Sequence, residues 1–134
     1  MGETADLSPT IVDALYGEAL SLADEARAAF DLSGRLTLAS EDEDLARIAL
    51  SCEALRTTTR MMHAIAWLLN QRAYFAGELS EFQLRRHGRL PPRQVETAPD
   101  NRALLGPELA DLIERTRRFY ARIERLGHAV AQLS

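Results

Sequence analysis

Residues 40–77 read SEDEDLARIALSCEALRTTTRMMHAIAWLLNQRAYFAG, a stretch with no proline and with its only glycine at the end. Leu45, Ile48, Cys52, Leu55, Thr59, Met62, Ala66, Leu69, Ala73 and Ala76 recur at alternating steps of three and four, the spacing of one face of a helix. Ser40 with Glu43 three residues later has the pattern of a capping box, and Glu41, Asp42 and Asp44 crowd the first turn, where the helix dipole favours anions. The spacing predicts a helix over 41–76, roughly 50 Å long at about 1.5 Å per residue, with the Leu45 to Ala76 series as its core stripe.

Two further helices flank it. Ser8 before Pro9 is a helix start, because the serine oxygen accepts an orphan amide and proline at the first helical position loses no hydrogen bond. Val12, Leu15, Ala19, Leu22, Ala26 and Phe30 follow at helical spacing, and Gly34 stands where a left-handed cap belongs, which predicts a helix over 9–32. Ser80 to His87 reads as one or two capped turns, and the breakers Gly88, Pro91, Pro92, Pro99, Asp100 and Asn101 predict a loop over 88–103. Pro107 opens a last helix, 107–132, with Leu109, Leu112, Thr116, Phe119, Ile123, Leu126, Val130 and Leu133 at helical spacing. No strand-like alternation competes, so the expectation is an all-α single domain over 1–134, an antiparallel three-helix bundle with a long central helix.

A chain of 134 residues buries roughly 65 to 70% of its unfolded surface, enough for a core without staples. One cysteine, Cys52, forms no internal disulfide, no run approaches the ~20 apolar residues of a membrane span, and Met1 to Ser8 lack the basic and apolar regions of a signal peptide. These features predict a cytoplasmic protein. All 16 basic residues are arginine, which removes Schiff-base lysine chemistry and the phosphate-loop lysine. Charge is polarised: residues 1–53 hold 12 acids and 3 arginines (−9), residues 54–134 hold 8 acids and 13 arginines (+5).

The central helix carries two stripes beyond the predicted core stripe, each about 120° away. Leu50, Ala54, Met61, Ile65, Leu68 and Phe75 form an apolar surface of the kind that marks an interface, which predicts a homodimer; the alternative is cover by residues 78–103 of the same chain. Arg72 on this stripe is expected to meet an acid across the interface, since an unpaired buried charge is expensive. The third stripe, Arg56, Arg60, His63, Trp67, Asn70, Gln71 and Tyr74, mixes arginine and aromatics as interface hot spots do and is the candidate partner-binding face. Its alternative is structural, with Trp67 and Tyr74 closing the core edge and the arginines pairing with acids of the first helix.

No chemistry converges. His63, His87 and His128 are scattered, Glu124 and His128 lack further ligands, and Cys52 on the core stripe reads as buried and inert; no metal, cofactor or catalytic site is expected. Arg115, Arg117, Arg118, Arg122 and Arg125 give the last helix a basic look, but Asp111, Glu114 and Glu124 interleave at pairing distance, so a solvated face is favoured over a nucleic-acid surface.

Residues 51–78, SCEALRTTTRMMHAIAWLLNQRAYFAGE, resemble the central helix of the RcdA family, regulators of CtrA degradation in alphaproteobacteria. The resemblance rests on Glu53, Ala54, Leu55 and Arg56; on Thr58, Thr59, Arg60 and Met62; on Ala66, Trp67, Leu68, Leu69, Gln71, Arg72 and Ala73; and on Gly77 and Glu78. Leu109, Leu112, Tyr120, Arg122, Ile123 and Leu126 look like the family's last helix. The resemblance implies a dimeric, non-catalytic adaptor that tethers a cargo protein or a second adaptor to the ClpXP protease primed by CpdR, in cell-cycle-regulated proteolysis. The second reading is a nucleic-acid or transcription-associated regulator using the arginines of the last helix.

Overall fold

The computed structural model describes residues 7–38, 44–92 and 105–132. These are all-helical, with four helices and no strand among the described residues: α1 (Pro9–Leu38), α2 (Asp44–Phe75), α3 (Glu81–His87) and α4 (Pro107–Gln132). The proposed capping box at Ser40 and Glu43 and most of the 88–103 loop lie outside the described residues.

Local chemistry sets most of the helix ends. At α1 the Ile11 amide donates to the Ser8 hydroxyl oxygen at 3.2 Å, as the Ser-Pro start predicts. The helix does not stop at Gly34; it continues to Leu38, because a glycine inside a helix costs only about 1 kcal/mol and is readily absorbed by a helix already under way. α2 does end as its glycine requires. Gly77 has φ +80°, its amide donates to the Tyr74 carbonyl at 3.1 Å and the Glu78 amide to the Ala73 carbonyl at 2.8 Å, the paired bonds of a Schellman motif. α3 is held by a capping box in which Ser80 and Gln83 exchange hydrogen bonds of 3.1 and 2.8 Å.

Cross-helix contacts fix the directions. Arg72 near the end of α2 meets Asp13 near the start of α1, so these two helices are antiparallel. Arg115 and Arg122 of α4 pair with Glu25 and Glu18, which makes α4 antiparallel to α1 as well. It follows that α4 runs parallel to α2, and the contacts between them agree: Arg60 reaches Thr116, and Trp67 lies against Gly127. An antiparallel arrangement throughout is therefore corrected. The physical reason is the connection after α2, long enough to carry the chain back along the molecule. The Tyr120 hydroxyl, midway along α4, donates to the Pro91 carbonyl of that connection, and Leu90 packs on the core.

Val12, Leu15, Ala19, Leu22 and Ala26 of α1, and Leu109, Leu112, Thr116, Phe119 and Ile123 of α4, are buried as their spacing predicts. α2 differs. Its buried line is Ala49, Leu50, Glu53, Thr57, Met61, Ala64, Trp67, Leu68 and Gln71, whereas the series read as its core stripe faces outward. The correction has a simple cause: α2 is apolar on more than one side, so periodicity marks several faces without ranking them.

Candidate interaction surfaces

The outward line of α2 is the first surface. Leu45 is 75% exposed, Ile48 60%, Leu55 69%, Met62 63% and Leu69 44%. Cys52 and Thr59 between them are half-buried and Ala66 is exposed, so Cys52 belongs to this face and not to the core. At 100° per residue the line lies opposite the buried Glu53, Thr57 and Ala64, away from both α1 and α4. Monomers rarely leave so large and contiguous an apolar patch.

The residues expected at a dimer interface are distributed otherwise. Leu50, Met61 and Leu68 are buried within the chain, Ala54 and Ile65 are half-buried, and Phe75 is exposed with its ring edge-on to Tyr74 at 5.5 Å. The cover that these side chains need comes mainly from their own chain. Arg72, expected to find an acid in a second copy, donates through Nε to Asp13 of α1 at 3.0 Å, with its guanidinium 4.5 Å above the Tyr16 ring.

The stripe expected to bind a partner turns towards α4. Trp67 and Gln71 are buried, and Arg56, Arg60, His63, Asn70 and Tyr74 are half-buried. Arg60 donates to the Thr116 hydroxyl at 2.9 Å and to Thr57 at 3.5 Å, while Thr116 donates to the Ile113 carbonyl at 2.7 Å. Arg56 donates to Oε1 of the buried Glu53 at 3.1 Å. The partners of these arginines include Glu53 and Thr57 of α2 and Thr116 of α4. The sequence did hold a signal here. Trp67, the only tryptophan, offers the largest apolar area on α2, and placing it inward selects the arc of Met61, Ala64, Leu68 and Gln71 as core.

A cleft of about 640 Å³ between α1 and α4 is the second surface, which sequence reasoning missed because its two walls are 90 and more residues apart. Leu22, Phe119 and Ala121 contribute its apolar part, and Arg115, Arg118, Arg122, Arg125, Glu18 and Glu25 its charged part. Arg115 to Glu25 and Arg122 to Glu18 are ion pairs across it; Arg118 meets Glu114 of its own helix at 3.8 Å. The Arg115 guanidinium, hydrogen-bonded to Glu25, holds that carboxyl below the usual carboxylate range, and the same bond raises the pKa of Arg115. Arg115 also meets Asp111 of its own helix at 3.5 Å, so the acids around the cleft offset the charge of its arginines.

Among the described residues no three His, Cys, Asp or Glu side chains come together as metal ligands, and no helix is long and apolar enough to cross a membrane.

Fold and surfaces together define a small all-helical protein whose longest helix presents an apolar face to the outside. A family model described as "Protein of unknown function (DUF1465)" matches residues 3–133, nearly the whole chain, and the protein belongs to that family. No match was found among curated proteins or among solved structures.

Proposed function

We propose that this protein is a non-catalytic, cytoplasmic protein-binding adaptor that works as a homodimer. The exposed line from Leu45 to Leu69 carries the reading, because an apolar face of that extent on a rigid helix is what a protein interface requires. Resemblance to RcdA supplies the context: delivery of a cargo protein or second adaptor to ClpXP primed by CpdR. The arginine-lined α1–α4 cleft is the surface proposed for that partner. Its arginines suit carboxylates bound through two hydrogen bonds, and its apolar floor suits a neighbouring hydrophobic side chain. The pairing of Arg115, Arg118 and Arg122 with acids favours a protein partner over the phosphate backbone of a nucleic acid.

The test is a reconstituted degradation reaction with purified ClpXP, CpdR and candidate cargo from the native host. Adding the protein is expected to accelerate loss of at least one cargo, and the double reversal Arg118→Glu with Arg125→Glu to abolish the gain while the fold persists. Degradation rates independent of the protein contradict the adaptor role.

A further inference from the structure

The outward line of α2 alternates in size as well as in spacing. At positions 48, 55, 62 and 69 stand Ile, Leu, Met and Leu; at 52, 59, 66 and 73 stand Cys, Thr, Ala and Ala. At the two ends the order reverses, with large Leu45 in the small series and small Ala76 in the large one. A single exposed helix face has no reason to sort its side chains this way. Two helices in contact do, because interiors pack at uniform density and neither voids nor crowding is tolerated.

We propose that two copies of this chain pair through α2 in antiparallel orientation about a two-fold axis near its midpoint, in the register that sets Leu45 against Ala76, Ile48 against Ala73, Cys52 against Leu69, Leu55 against Ala66 and Thr59 against Met62. This rests on the homodimer reading and gives its geometry. Every one of these layers sets a larger side chain against a smaller one, the reversed ends included. A parallel pair instead sets each residue against itself, so Ala66 and Ala73 leave gaps while Leu55 and Met62 crowd. Side-by-side antiparallel packing of the two helix dipoles acts in the same direction. The period of 3.5 residues lets the seam persist along the helix by a slight left-handed supercoil. Area is consistent with a second copy as occupant: the five large exposed side chains present on the order of 500 Å² per copy before their small neighbours and flanks are added, against about 800 Å² per partner in a typical stable interface.

Cys52, the only cysteine, provides the test in the full-length protein. In the proposed register the two Cys52 residues stand about 25 Å apart along the seam, 17 residues at ~1.5 Å each, so oxidation of the unaltered protein is expected to yield no disulfide-linked dimer. Leu69→Cys places a thiol opposite Cys52 of the second copy and is expected to cross-link on oxidation. Because that change removes an interface leucine, a second variant keeps every large seam residue and replaces only the small Cys52: Arg47→Cys in a Cys52→Ala background, spin-labelled, with the distance between copies read by pulsed electron resonance. The antiparallel register predicts about 40 Å, and a parallel pair roughly 10 to 15 Å. Efficient Cys52–Cys52 cross-linking or the short distance overturns the orientation. A dimeric mass with neither the cross-link nor the 40 Å distance overturns the seam but leaves the dimer standing, whereas a monomeric mass removes the dimer reading itself.

Discussion

Leu55 and Leu68 are the same amino acid on the same helix, and the structure assigns them opposite fates. Leu68 is wholly buried among α1, α2 and α4, so Leu68→Ala removes core contacts and leaves a cavity, at a cost of about 2 to 5 kcal/mol. Against a total stability of roughly 5 to 15 kcal/mol, that lowers the melting temperature sharply. Leu55 is 69% exposed, so Leu55→Asp changes the stability of an isolated copy by only about 0.5 kcal/mol or less. In a two-fold dimer the substitution counts twice. Losing the burial of two leucines, about 1.5 to 3 kcal/mol each, weakens association by roughly 3 to 6 kcal/mol, a factor of about 10² to 10⁴, before carboxylate desolvation is added. The assay is sedimentation velocity across a concentration series beside thermal melting by circular dichroism. Because dimerisation itself stabilises the fold, melting is compared at concentrations where both proteins are monomeric. The reasoning fails if Leu55→Asp collapses the fold of the monomer, or if Leu68→Ala melts as the unaltered protein does.

Thr116→Val is expected to destabilise by about 1 to 3 kcal/mol in chemical denaturation, because it keeps the shape but removes the hydroxyl that accepts from Arg60. Gly77→Ala forces a side chain into the left-handed region at φ +80° and is expected to cost about 1 to 2 kcal/mol by the same measurement. Glu25 has its pKa depressed by Arg115, so its stabilising contribution is present above the ordinary carboxylate pKa and is lost as pH falls through the lowered one. Glu25→Gln is therefore expected to be slightly less stable than the unaltered protein near neutral pH and indistinguishable from it in strong acid, as followed by melting at each pH.

Helix existence was legible because start and stop signals are local: Ser8 with Pro9, Gly77 and Pro107 each act on neighbouring backbone groups. The burial of α1 and α4 was equally readable. Which side of α2 faces the core was not. Leu45, Ile48 and Leu55 have the composition of a core stripe, and the true core line carries Glu53, Thr57 and Gln71, polar residues that a hydropathy pattern discounts. Glu53 and Thr57 meet Arg56 and Arg60 one turn on, and Arg60 in turn reaches Thr116, a contact 56 residues away that the local pattern does not reveal. The direction of α4 was hidden for a related reason: a long connection permits either orientation, and only contacts such as Arg122 with Glu18 decide it. The α1–α4 cleft has two walls distant in sequence, so its arginines looked like an isolated charged helix face.

The most direct test of the account is the mass of the full chain in solution, measured by light scattering at micromolar concentration. The outward apolar line of α2 predicts twice 14.9 kDa, falling towards the single-chain value when Leu55→Asp is introduced. A mass of 14.9 kDa for the unaltered protein, independent of concentration, would contradict it.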